Sequence, residues 1–166
     1  MTEPMQALAD KQAITEQIYR YCRSVDRLDV PLGHAVFHDD ATAHYGDRYQ
    51  GSGRGVIDWI CASHLHMQAH SHQVTNILIE LDGDRAASES YVFAALRGER
   101  EGQAFQIQVW GRYCDAWSRR EGLWAIDHRD ALIDFDTMGD VTAVSPRQRV
   151  TRDAHDPSYA ILRVSP

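Results

Sequence analysis

The chain has 166 residues, 17 basic against 24 acidic side chains, a formal charge of −7 and a 43% share of hydrophobic residues. That length suits one domain with a core large enough to enclose a pocket, and the hydrophobic share excludes a disordered chain. The acidic balance argues against the broad basic footprint that nucleic acid or an anionic membrane surface selects.

Ile14, Ile18, Tyr21, Cys22 and Val25 fall on one stripe at helical spacing and predict a first helix from about Pro4 to Asp29. Asp29-Val30-Pro31 reads as a stop and restart, with an N-cap at 29 or 30 and Pro31 in the first turn of a short helix reaching about Phe37. A first strand is expected over Ala41 to Tyr45. The segment GDRYQGSGRG (46–55), with four glycines, reads as loop. A further helix is predicted from Gly55 through Gln68, carrying Val56, Ile57, Trp59, Ile60 and Leu65. HQVTNILIEL (72–81), a turn at Asp82-Gly83-Asp84 and AASESYVFAAL (86–96) then predict a hairpin, and RGEREGQ (97–103) a polar loop. FQIQVWGRYCDAW (105–117) alternates, with Phe105, Ile107, Val109, Tyr113 and Trp117 on one parity, and LWAIDHRDALIDF (123–135) is the last strand. Helices followed by long antiparallel strands make an α+β fold, the helices covering one face of a curved sheet. Residues 1–136 are expected as one domain. Residues 137–166, polar and without clear periodicity, are expected as an extension packed on it or on a neighbouring subunit.

The chemistry-bearing residues narrow the choices. Lys11 is the only lysine and no glycine-rich loop precedes it, which argues against Schiff-base and P-loop mechanisms. Cys22, Cys61 and Cys114 form no CxxC pair and read as free thiols of a reducing compartment. The N-terminal stretch MTEPMQALADKQ lacks an apolar core and no run approaches a membrane span, so a cytoplasmic location is expected.

Nine histidines are many for this length, and four lie in HLHMQAHSH (64–72). The pairs at 64/66 and 70/72 have a metal-like spacing, but on a helix positions 64 and 66 point about 200° apart. Two ligands at 70 and 72 would not complete a site unless Asp or Glu ligands from elsewhere joined them; the other reading is a helix end with surface histidines at 64, 66 and 70. His72 opens a strand whose two faces both turn apolar midway, so its direction stays open. Asp26 borders the stripe of the first helix near its C-terminus, where an anion opposes the macrodipole; it is either solvated there or held by a partner. Arg129 shares strand parity with Ala125, Ala131 and Ile133, which implies a paired guanidinium, an oligomer contact or a polar group in a cavity. Tyr21, Tyr45, Tyr91 and Trp110 are candidates for a pocket lining or for plain core.

The segments ITEQIYRYCRSVDRLD (14–29), FHDDATAHYG (37–46), HQVTNILIELDGDRAASESYVF (72–93) and GRYCDAWSRREGLWAIDHR (111–129) together resemble the SnoaL-like branch of the nuclear-transport-factor-2-like superfamily, and the tail RDAHDPSYAIL (152–162) is similar to an ending seen there. The resemblance implies a cone-shaped α+β barrel, a mostly antiparallel sheet wrapped around N-terminal helices. Members with known chemistry include scytalone dehydratase, bile-acid 7α-dehydratase and hexachlorocyclohexane dehydrochlorinase. It implies a His–Asp dyad inside the cone, matched here by His72 and Asp26. It implies Tyr21 and Arg129 as substrate contacts, to which Tyr45 and Trp110 are added as the pocket-lining candidates read from the residues. A helical spacing of five sets Tyr21 about 140° from Asp26, so the two flank one cavity rather than stack. The dehydrochlorinase carries a lysine at the Tyr21 position, and its absence lowers the dehydrohalogenase reading. The implied activity is a lyase or isomerase acting on a small hydrophobic, cyclic molecule, without cofactor or metal, in a homo-oligomeric dimer or trimer. The alternative is a non-catalytic ligand binder, or a structural partner like the β-subunit of a ring-hydroxylating dioxygenase.

Overall fold

The computed structural model describes residues 2–142, 151–153 and 155–162. The N-terminal apolar stripe forms one face of α1 (Glu3–Arg27), with Ile14, Ile18, Tyr21 and Val25 almost wholly buried. Leu28, in the left-handed region at φ 56°, ends the helix and returns its N–H to Ser24 O. The restart falls where the sequence indicates it. The Asp29 side chain accepts from the Leu32 N–H at 3.1 Å and caps α2 (Val30–His34), with Pro31 in the first turn. β1 (Phe37–His44) starts four residues before the expected strand, and the segment read as loop contains a short β2 (Gln50–Ser52). Ser52 then caps α3 (Gly53–His64) by accepting the Gly55 N–H.

α3 ends at His64 instead of running to Gln68. The Gln68 N–H already bonds to Arg97 O, so the next residues enter β3 (Ala69–Asp82). β4 (Arg85–Arg100), β5 (Gln103–Arg120) and β6 (Leu123–Asp140) are all longer than their apolar patterns suggest. The polar stretch 97–103 is mostly ladder, not loop: pairing continues to Arg100↔Gln103 and closes on Glu101-Gly102, both at positive φ. Glu121-Gly122 closes the next hairpin in the same way, the backbone that two-residue turns favour.

The sheet order is β2-β1-β6-β5-β4-β3, with β1 parallel to β6 and all other pairs antiparallel. It is a curved, open, mixed sheet whose concave face holds the helices, with α1 against β3 and α3 against β1. The core lies between them, built from the α1 stripe, Val56 and Ile57 of α3, and Tyr113, Trp117, Trp124 and Ile126 of the sheet. β6 runs four residues past position 136. Beyond it Arg152 donates to the carbonyls of His64, Leu65 and Met67, Asp156 pairs with Arg27, and Tyr159 donates to Asp29. The described part of the C-terminal stretch, including the six-residue α4 (Pro157–Leu162), therefore lies on α1 and the end of α3. No described helix is long and apolar enough to cross a membrane.

Three irregularities in the ladders decide which side chains face inward. The β3–β4 register shifts between Thr75 and Leu78, where Asn76 sits at φ 51°. His70, His72 and Val74 face the helices before it; Ile77, Ile79 and Leu81 do so after it. In β6 one shift adds Asp127 and another adds Asp134, so the inward set runs Trp124, Ile126, then Arg129, Ala131 and Ile133. Simple alternation puts Arg129 opposite Ile126; the bulge puts both inside. At the last shift a Cβ on Gly111 would lie 2.2 Å from the Leu132 carbonyl oxygen, a backbone atom that cannot move aside. Gly111→Ala is expected to lower stability by about 1–3 kcal/mol, read from the denaturation midpoint.

Candidate active site

Asp26 stands in the last turn of α1, where the helix dipole disfavours an anion. Donors from β3 offset that placement. Both carboxylate oxygens accept the His72 main-chain N–H, at 3.0 and 3.2 Å, and Oδ1 lies 2.7 Å from His72 Nδ1. The pair is largely sheltered, with 9% of the His72 side chain and 16% of the Asp26 side chain exposed. An ionised Asp26 places the ring proton on Nδ1 and leaves the Nε2 lone pair as the base. Nε2 makes no hydrogen bond to a described residue.

His72 lines a cavity of about 140 Å3 between the helices and the concave face of the sheet. Val92, Ala94, Val109 and Ala131 form its sheet wall; Tyr21, Trp59, Ile60 and His64 form the helical wall, and Tyr45 and Arg48 lie towards β2. The Tyr21 and Tyr45 hydroxyls are 2.7 Å apart. Burial raises the pKa of both phenols, so both are proton donors at neutral pH. Of the expected site residues, Asp26, His72, Tyr21 and Tyr45 are thus brought together.

The other two are placed elsewhere. Trp110 lies on the outer face of the sheet, between Phe93 and Phe135 with ring centroids 4.9 Å from each. Its neighbours Val109 and Gly111 take the cavity side, and strict alternation sends Trp110 the other way. Arg129 is inside but behind the tyrosines. It is 0% exposed and makes a bidentate pair with Asp115, 2.7 Å at each contact. Its guanidinium lies 4.1 Å from the ring centroids of both Tyr21 and Tyr113. Burial opposes its charge, yet the Asp115 carboxylate holds its pKa well above the ordinary arginine value. Arg129 therefore meets the cavity-lining tyrosines and is not itself part of the lining.

Asp115, Tyr113 and His64 are neighbours of the candidate site that sequence reasoning missed. Asp115 shares strand parity with Tyr113 and Trp117 and stands opposite Arg129 in register, and that shared parity was the available signal. The sequence leaves His64 and His70 between a metal-like spacing and a surface position. In the structure His70 is buried, His64 lines the cavity, and their rings are 4.5 Å apart. The strand begins before His72, which turns His70 inward with it.

Burial pushes the Cys22 thiol up to about 12 and the Cys61 thiol to about 11, so neither supplies a thiolate nucleophile at neutral pH. Among the described residues no three His, Cys, Asp or Glu side chains converge as a metal site.

A family model described as a SnoaL-like domain matches residues 6–130. No curated protein matches the sequence. Similar solved structures include a candidate scytalone dehydratase from Novosphingobium aromaticivorans DSM 12444, 23% identical, covering 86% of this chain and 96% of that one, with a TM-score of 0.71. The hexachlorocyclohexane dehydrochlorinase LinA-type3 of Novosphingobium barchaimii LL02 is 17% identical, covering 87% of this chain and 100% of that one, at 0.73. A candidate aromatic ring hydroxylase from Novosphingobium aromaticivorans is 24% identical, covering 81% and 94%, at 0.68. At these identities the likeness carries the fold.

Proposed function

This chain belongs to the SnoaL-like domain family, and on that premise we propose that it is a lyase or isomerase of the dehydratase kind, acting through a general-base dyad. One observation carries the reading: Asp26 holds the main chain and Nδ1 of His72 so that the other ring nitrogen is free at the wall of a mostly apolar cavity. His72 Nε2 takes a proton from a carbon beside a carbonyl, and the C–H electron pair moves onto the carbonyl oxygen. Tyr45, hydrogen-bonded to Tyr21 and backed by Arg129, donates to that oxygen as it gains charge. Collapse of the enolate forms a C=C bond and expels a β-hydroxyl, which leaves as water with the proton held on the imidazolium. Asp26 stabilises that imidazolium. Base, orienting partner and oxyanion donor all come from the chain's own residues.

The cavity volume is close to that of an engineered protein cavity that holds benzene, which supports a single-ring substrate over a fused-ring one. The outward aromatic strip of Tyr91, Phe93, Trp110 and Phe135 supports a homo-oligomer, dimer or trimer, and the three free thiols support a reducing, cytoplasmic setting. A second reading, a structural partner of a ring-hydroxylating enzyme, is favoured by the likeness to the candidate aromatic ring hydroxylase.

Purified chain incubated with cyclohexanone in D2O separates the two. The dyad reading expects protein-dependent deuterium exchange at the carbons beside the carbonyl, with light scattering reporting a dimer or trimer. Absence of exchange together with co-purification of an iron–sulfur subunit would establish the second reading instead.

A further inference from the structure

The proposed mechanism uses one histidine of the cavity and leaves another unexplained. His64 ends α3, one turn after Trp59 and Ile60, and all three line the cavity. Its ring rests on His70, which shares the inward face of β3 with His72 two residues further on. His64, His70 and His72 therefore form a row from the end of α3 into the cavity.

The hydrogen bonding of His64 is incomplete. Neither ring nitrogen bonds to a described residue, and Nδ1 is shut off from solvent. Both ring nitrogens of His70 are also buried without a partner, but of these two rings only His64 lines the cavity, where a ligand can reach its open Nε2. A buried N–H without an acceptor costs about 1–3 kcal/mol, so the proton belongs on Nε2, the more accessible nitrogen. His64 then presents an N–H donor.

The two cavity histidines also sit in opposite electrostatic settings. His72 has a carboxylate on its ring. Facing His64 are His70 and His72 from β3, Asp26 from α1, and Arg152, whose guanidinium donates to the His64, Leu65 and Met67 carbonyls at 3.0, 3.3 and 2.7 Å. Burial, reinforced by the neighbouring imidazoles and by Arg152, pushes the His64 pKa down to about 4, and burial does the same to His70. At neutral pH His64 therefore stays uncharged, while His72 carries a carboxylate on its Nδ1. Such a division assigns separate roles to like groups in one site.

We propose that His64 is a second ligand-contacting histidine, a neutral imidazole that donates a hydrogen bond to a substrate oxygen distinct from the one at the dyad and thereby selects a single ring bearing two oxygen substituents. This rests on the reading of the cavity as the ligand site. A ligand lacking that second oxygen leaves the His64 donor unsatisfied, so the site discriminates by omission.

Calorimetric titration with phenol, resorcinol and hydroquinone tests it on the wild type, His64→Phe and His64→Gln. The wild type should bind the better dihydroxybenzene at least about 5-fold more tightly than phenol, the scale of one neutral hydrogen bond. His64→Phe should keep phenol binding and lose the preference, and His64→Gln, which retains a donor, should keep part of it. Equal affinities in the wild type, or a preference that survives His64→Phe, would overturn the proposal. Failure of all three phenols to bind would overturn the cavity reading beneath it. The 15N imidazole spectrum of the wild type gives a check that needs no variant to fold. His64 should be a neutral Nε2–H tautomer at neutral pH, and an imidazolium there would end the assignment.

Discussion

Asp115→Ala is expected to destabilise the protein by about 3–5 kcal/mol, the largest effect of any single truncation at this site. Arg129 is wholly buried between two tyrosine rings, and Asp115 is its bidentate partner. An arginine stays protonated in proteins even without a counter-ion, so the guanidinium cannot escape by losing its proton. Removing the carboxylate leaves a charge in the interior with neither water nor a counter-ion. The reverse logic applies to the pair as a whole, because desolvating two ions offsets much of their attraction. The double replacement Asp115→Leu with Arg129→Met should recover a large part of the loss. Urea denaturation of the wild type, Asp115→Ala and the double variant measures both quantities. A single-mutant cost below about 1 kcal/mol would mean that water reaches Arg129 and that the tyrosines are not held as described. The double variant also reports on chemistry, since it keeps the packing but removes the positive charge behind Tyr21 and Tyr45. Its exchange rate should fall although its fold survives.

The second large effect is catalytic. His72→Ala should reduce exchange on cyclohexanone by at least about 10²-fold, the usual contribution of a positioned general base. Asp26→Asn should be nearly as damaging, although it changes one functional group and no volume. The amide presents an N–H to Nδ1, which then becomes the acceptor, and the ring proton moves to Nε2. The base is blocked by its own proton. The amide oxygen still accepts the His72 main-chain N–H, so the fold should persist, and circular dichroism checks that it does. Unchanged turnover in either variant, with the fold intact, would sink the dyad mechanism.

Much of this architecture was written locally. The α1 stripe, the Asp29 cap with its proline, and the hairpin turn at Gly83 each depend on residues close together in the chain, and each formed where the sequence indicates it. The order of helices and strands followed from the same periodicities. The pairing of Asp26 with His72 was accessible only through resemblance, since no local rule joins residues 46 positions apart.

What the tertiary structure alone decided is the inward or outward sense of the long strands. A period of two carries the face of a side chain along a strand only while no residue is inserted. Single extra residues near Asn76, at Asp127 and at Asp134 each invert everything that follows, and whether a residue is accommodated as a bulge depends on the partner strand. That is why the sequence left the direction of His72 open and put Arg129 opposite Ile126. It is also why Arg129, expected at the substrate, lies behind Tyr21 with Asp115 as its counter-ion. Chain composition and local pattern determined the elements and the residue types available for chemistry. The register between strands determined which of them meet.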